Sequence, residues 1–214
     1  MFSYAAFNLG AQEVISFDVD PLSIECCKYL YNKADRPKNW KIFKGSVIDD
    51  NFLSKFKKYD LVYSWGVLHH TGKMWKSIEN SANLVDKDGY YCIAIYNKVE
   101  RMMGSIFWLK IKIIYNHFPL IGKYTMEIIY IFFYFSLNLL RFKNPLKLIK
   151  NYKSNRGMDW RRDITDWLGG YPYEFAAVEE VFKYIKVKFP KFNLVNIKTT
   201  NSLGNNSYLF KNQC

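Results

Sequence analysis

Apolar residues recur along this chain with two alternating periods, and the alternation predicts most of the fold. Residues 2–9 repeat in the helical manner and stop at Gly10, a residue that takes the left-handed conformation cheaply and so ends helices. Residues 13–18 (EVISFD) then read as a short strand, and Asp20-Pro21 as a helix entry, with Pro near the first turn. Leu22, Cys26 and Leu30 follow at intervals of four, which predicts one packed helix face. Strands are expected at 40–44 (WKIFK) and 59–65 (YDLVYSW), the second an almost continuous apolar run of the kind that suits a parallel strand covered on both sides. Helical spacing returns at Trp75, Ile78, Ala82 and Val85, and Lys87-Asp88-Gly89 turns the chain into another strand at 90–96 (YYCIAIY).

The resulting βαβαβ order predicts an α/β fold: a Rossmann-like, doubly wound, mostly parallel sheet whose ligand crevice lies at the carboxyl ends of the strands. Function is therefore expected just after Phe17, Phe43, Trp65 and Tyr96. From about residue 99 to 175 the strand pattern gives way to long apolar and aromatic helices mixed with basic residues, read as a helical insertion or lid. Val178, Val181, Phe182, Ile185 and Phe189 mark one more amphipathic helix, and 192–199 and 207–211 read as a closing β-hairpin. The expected organisation is a core over 1–98, the insertion over 99–175, and a completing segment over 176–214.

Composition narrows the classes. Half of the 214 residues are apolar and 19% are aromatic, enough for one domain with a core. The net charge of +12 suits an acidic partner, but the lysines are spread along the chain rather than gathered in a stripe, which argues against nucleic acid. Cys26, Cys27, Cys92 and Cys214, with His69, His70 and His117, show neither zinc-ligand nor disulfide-framework spacing, so no metal is expected. No secretory signal pattern is visible, and a cytoplasmic location follows as the expectation. Residues 126–140 (MEIIYIFFYFSLNLL) fall short of the about 20 residues a membrane span needs and are interrupted by Glu127, which predicts a buried or surface-lying helix.

A carboxylate at the end of a strand can accept hydrogen bonds from both hydroxyls of a ribose, and Asp18 occupies such a place. Asp20, two residues on, reads as the N-cap of the helix opening at Pro21. Gly45-Ser46-Val47 would set a small turn and a hydroxyl at the crevice edge. Residues 63–72 (YSWGVLHHTG) leave a strand, turn at Gly66 and present two imidazoles, so His69 or His70 is a candidate base or substrate-holding group. Residues 156–174 mix charged, aromatic and glycine residues where a lid would return to the crevice. Asp159, Trp160, Arg162, Asp163, Asp166 and Tyr171 are candidate substrate contacts there. The same stretch also reads as a helix with Trp160, Ile164 and Trp167 packed inward and Asp163 and Asp166 solvated.

In order and spacing, EVISFDVDP, KGSVID, YDLVYSWGVLHHTG and DGYYCIAIYN resemble successive motifs of the class I S-adenosylmethionine-dependent methyltransferases. The resemblance covers residues 1–98 well and the terminal helix and hairpin more loosely. It implies a seven-stranded sheet with an antiparallel last strand and S-adenosyl-L-methionine as cofactor. Asp18, with Val19, would lie on the ribose, Ser46 and Val47 beside the adenine, and Trp65, Gly66, Val67 and Leu68 along the cofactor. Ser46 departs from the Asp that many members carry. The family's first strand and glycine-rich loop, which would precede residues 2–9, have no counterpart here, so a gap is expected between the strands at Glu13 and Tyr59. An N-terminally truncated enzyme is the expectation.

The function so implied is methyl transfer to a small-molecule or lipid-like acceptor held under the insertion. Two rivals stand beside it: a non-catalytic remnant, and a membrane-surface protein with Phe132, Phe133 and Phe135 in the interface. Nucleic-acid methylation would require a basic groove beside the crevice, and no Asn-Pro-Pro-Tyr type of motif is present. No obligate protein partner is indicated.

Overall fold

The computed structural model describes residues 1–213, the side chain of Arg156 excepted, so Cys214 lies outside the described residues. Helix α1 (Phe2–Asn8) ends where Gly10 takes a φ of 85° and donates its N–H to Phe7 O at 3.0 Å. Strand β1 (Val14–Asp18) leads to α2 (Pro21–Lys33), whose first turn is capped by the Asp20 carboxylate accepting from the N–H groups of Leu22 and Ser23. Strand β2 (Trp40–Lys44) pairs in parallel with β1, from Val14 opposite Trp40 to Asp18 opposite Lys44. A short helix α3 (Asp50–Leu53), strand β3 (Tyr59–Trp65), helix α4 (Met74–Ala82) and strand β4 (Val85–Tyr96) continue the alternation, β3 and β4 again parallel.

Five helices follow: α5 (Ser105–His117), α6 (Leu120–Leu140), α7 (Pro145–Lys150), α8 (Tyr152–Arg156) and α9 (Trp160–Gly169). The chain closes with α10 (Val178–Lys188), β5 (Phe192–Lys198) and β6 (Asn205–Asn212). Strand β6 inserts between β4 and β5 and runs antiparallel to both, which makes the last strand the reversed one. The main core lies where α4 and α10 cover this sheet, with Ile78, Tyr91, Ile93, Val181, Ile185 and Phe210 wholly buried. The Tyr91 hydroxyl is satisfied inside it by Ser81 Oγ at 2.6 Å and Ile78 O at 3.1 Å.

The strands form two sheets rather than one, β1-β2 and β3-β4-β6-β5, and the expected gap falls between β1 and β3. Side chains cross it. Phe2 of α1 packs on Tyr63 of β3 with ring centroids 4.7 Å apart, while Ser3 of the same helix accepts from Ser16 of β1 at 2.8 Å. Phe17 of β1 reaches the main core, and Glu13 pairs with Lys57, just before β3, at 2.6 Å.

This gap overturns one reading of the sequence. The apolar run of β3 is not covered on both sides: Leu61, Tyr63 and Trp65, alternate residues on one face of the strand, are exposed, and among the described residues no strand pairs with the edge of β3 away from β4. The face of α2 is also different from that expected. Leu22 and Cys26 point to solvent, and Ile24, Cys27 and Tyr31 turn toward the sheet, where Tyr31 packs edge-on against Trp40 at 5.7 Å. Finally, α6 begins six residues before the expected stretch and is long enough to cross a membrane, yet only 6% of its apolar window is buried. It is therefore no core helix; one side of it lies open.

Candidate active site

The carboxyl ends of β1, β2 and β3 carry the expected cofactor-side residues. Asp18 ends β1 half-buried, and its Oδ1 accepts from the Asp20 N–H at 3.0 Å, which fixes the carboxylate at the strand end. Its other oxygen has no partner among the described residues. Val19 beside it is exposed. The backbone of Gly45 donates to Asp18 O at 3.0 Å, so the turn after β2 is tied directly to the end of β1. A side chain at Gly45 would overlap the Phe52 ring, its Cβ falling 2.2 Å from the nearest ring atom; only glycine lets the turn lie this close. Ser46 Oγ accepts from Ile48 N at 3.3 Å, and Val47 turns its side chain into the core while its carbonyl accepts from Asn80 Nδ2 at 2.9 Å.

After β3, Gly66 adopts a φ of 75° and donates to Ala94 O at 3.2 Å. That turn leaves Trp65 and Val67 exposed, whereas Leu68 is buried in the core and offers a ligand its backbone alone. A 3-10 turn over Leu68–His70 then directs the two histidines inward.

The two imidazoles have different environments. His69 is wholly buried, with the Tyr96 ring 3.9 Å from its own and its Nδ1 accepting from the Tyr96 N–H at 3.2 Å. That bond places the proton of the neutral ring on Nε2. Burial, then His70 and Lys112 nearby, push its pKa down to about 2. With its lone pair engaged, His69 is a fixed neutral piece of the wall. His70 is partly exposed and its Nδ1 donates to Pro172 O at 2.6 Å, which leaves the Nε2 lone pair as its proton acceptor. Its pKa is lowered, chiefly by burial.

Around these rings stand Tyr96, at a strand end where function is expected, Trp167, expected only to pack inward, and Lys112 and Tyr173, which no motif marks. Tyr96, Trp167 and Tyr173 form an aromatic group beside His69, with Tyr96 5.1 Å from Tyr173 and 6.4 Å from Trp167. The Lys112 ammonium lies 4.2 Å over Trp167 and 4.9 Å over Tyr173, donates to Trp167 O, and is held down to a pKa of about 8 by burial. Glu174 donates its backbone N–H to His69 O at 2.9 Å, and both of its carboxylate oxygens accept from Met74 N, at 3.2 and 3.0 Å. It thereby caps α4, whose own N-cap, Lys73, makes no side-chain bond. The segment returning from α9 thus clamps the histidine turn to α4.

The candidate substrate residues do not gather at one place. Asp159 caps α9 through Arg161 N and Arg162 N, and Asp163 accepts from the Tyr152 hydroxyl. Trp160 packs against Tyr134 and Phe135 of α6, at 5.7 and 6.5 Å, and Arg162 is exposed. Asp166 borders a cleft of about 710 Å³ between α5, α6 and α9, with Glu127 and Arg161. Tyr171, half exposed, directly precedes the proline that holds His70.

No family model and no curated protein matches this sequence. Solved structures do. The chain resembles PKMT2 of Rickettsia typhi in complex with AdoHcy (TM-score 0.58, 12% identity, 92% of this chain and 44% of that one). It also resembles a magnesium protoporphyrin IX methyltransferase of Synechocystis with bound SAH (TM-score 0.52, 12% identity, 99% and 68%). A third is an O-methyltransferase family protein of Burkholderia thailandensis (TM-score 0.50, 8% identity, 94% and 43%). The chain spans less than half the length of the first and third. From the strand order, the reversed last strand and these neighbours, the chain has the fold of the class I S-adenosylmethionine-dependent methyltransferases.

Proposed function

We propose that this protein binds S-adenosylmethionine at the carboxyl ends of β1, β2 and β3 and transfers its methyl group to a small-molecule or lipid-like acceptor. The observation that carries this reading is the joining of Asp18 to the turn after β2 by the Gly45 N–H to Asp18 O bond, in a methyltransferase fold. That arrangement fits the nucleoside half of the cofactor: the Asp18 carboxylate keeps one oxygen to accept from ribose hydroxyls, and Ser46 stands beside it. When bound, the cofactor supplies an electrophilic methyl group. The chain's own contribution is to align the acceptor, exclude water and receive a proton, with alignment the largest part.

His70 is the proposed proton acceptor, since its Nδ1 is fixed by Pro172 O and its lone pair lies on Nε2. Tyr96, Trp167 and Tyr173 form the apolar wall, and Tyr171 is the proposed acceptor contact from the insertion. Radiolabelled methyl transfer, assayed over hydroxylated aromatic and lipid-like acceptors, tests the reading. His70→Gln is expected to lower kcat by about 100-fold or more with little change in KM. No transfer to any acceptor by folded protein, or full activity in His70→Gln, would count against the respective assignment.

The second reading, a non-catalytic remnant, draws support from the unpaired facing edges of β1 and β3. It predicts weak or no cofactor binding and no methyl transfer.

A further inference from the structure

The outer face of α6 is apolar and unpartnered, and what surrounds it indicates its partner. Along this helix Ile121, Ile128, Phe132, Phe133 and Leu140 are exposed at helical spacing, and the face continues to Phe142, which is 100% exposed. The polar Thr125 on the same side turns its hydroxyl onto Ile121 O at 3.0 Å, so even that position presents little polarity. Soluble surfaces rarely leave so continuous an apolar stripe uncovered.

The face cannot turn inward. On the opposite side of α6, Glu127 is buried and bound to the Tyr115 hydroxyl at 2.8 Å, Arg161 Nη2 at 2.9 Å and Thr165 Oγ1 at 3.1 Å. This network pins α6 to α5 and α9 and fixes which side looks out. It also means that α6 cannot leave the domain to span a bilayer without stranding a buried carboxylate from its partners.

Charge selects the occupant. Residues 101–158 contain ten Lys and Arg and a single carboxylate, Glu127, which is the buried one. At the C-terminal end of the apolar face, residues 141–150 carry four exposed cations, Arg141, Lys143, Lys147 and Lys150, and no carboxylate, with Arg141 and Lys143 on either side of Phe142. Phe142 itself is held at a φ of 55°, a conformation a bulky residue rarely adopts, with its ring directed away from the protein. An apolar face with a cationic border suits the headgroup layer of an anionic membrane, where rings enter the acyl boundary and ammonium groups meet phosphates. Two copies of this face would bring like charges together, and nucleic acid would leave the central rings uncovered.

We propose that α6, the Arg141-Phe142-Lys143 loop and α7 dock this protein on an anionic lipid surface, α6 lying in the plane of the interface. Docking of this kind does not depend on methyl transfer. Docking would hold the insertion against the membrane on one side while α9, through Trp167, meets Tyr96 at the candidate site on the other.

The test is co-sedimentation of the full chain with phosphatidylcholine vesicles, with and without roughly a third phosphatidylglycerol. Binding is expected to the anionic vesicles and to weaken as salt rises. Arg141→Ala/Lys143→Ala/Lys147→Ala should lose about fivefold per charge, on the order of 100-fold together. Phe132→Ser/Phe133→Ser/Phe142→Ser should lose at least about tenfold, and Phe142→Ser alone serves if circular dichroism shows that the triple variant misfolds. Folded wild type left in the supernatant at low salt would overturn the proposal, as would serine variants that bind like wild type. So would sedimentation velocity showing a dimer that the serine variants abolish, in a protein that ignores vesicles.

Discussion

Replacing His69 by Asn removes a titrating group from the interior while keeping an oxygen where Nδ1 accepts the Tyr96 N–H. The wild-type ring is wholly buried, and its pKa falls from 6.5 in the open chain to about 2 in the fold. A histidine whose folded pKa is lowered stabilises fully above its unfolded pKa, and that contribution is lost as pH falls below 6.5, because the unfolded chain takes up the proton first. Between pH 7 and pH 5 the linkage integral gives about 2 kcal/mol, and any folded pKa well under 5 gives the same figure. For a chain of this length that is about 4–8 °C in Tm. The carboxylates with lowered values, such as Glu13 and Asp50, release their contributions below this window. His70 is present in both proteins, so the comparison isolates the change made at His69. Thermal and urea unfolding of wild type and His69→Asn at pH 7 and pH 5 measure the difference directly. The variant should be less stable at pH 7 but should lose about 2 kcal/mol less on acidification. An equal loss in the two proteins would refute the buried, neutral assignment of His69.

Two other substitutions have outcomes that follow from the structure. Glu174→Ala should destabilise by about 1–2 kcal/mol and speed amide exchange in the first turn of α4, whereas Glu174→Gln, which can still accept, should cost less. Gly45→Ala should cost about 1–3 kcal/mol by driving the Phe52 ring from its contacts with Phe17 and Phe56, and Phe52→Leu in the same chain should recover part of it. The double variant thus tests whether the clash, rather than the glycine backbone, sets the cost.

Strand identity was legible in this sequence because β-branched and aromatic runs bounded by turn residues occur at regular spacing. The turn chemistry of Gly10, Asp20 and Gly66 was equally local, and each behaves as expected. Burial was not legible wherever it depends on a neighbour. Leu61, Tyr63 and Trp65 have the composition of a covered strand, and only the folded arrangement shows that their face is left exposed. In α2 the Leu22 and Ile24 registers are both apolar, and the position of the sheet decides between them. The aromatic group of Tyr96, Trp167 and Tyr173, with Lys112, joins three distant parts of the chain, and a lysine in IKIIY carries no sign that it is buried. Glu127, read along the chain as an interruption of an apolar helix, is the residue that orients it.

The proposed S-adenosylmethionine site at the ends of β1, β2 and β3 can be tested by calorimetric titration of S-adenosylhomocysteine into the folded protein. Saturable binding with one site per chain is expected, weakened by about tenfold or more in Asp18→Ala, with adenosine retaining much of the affinity because Asp18 and the turn after β2 are the proposed contacts of the nucleoside half. Heat changes indistinguishable from dilution in the folded protein, or equal affinity in wild type and Asp18→Ala, would contradict it.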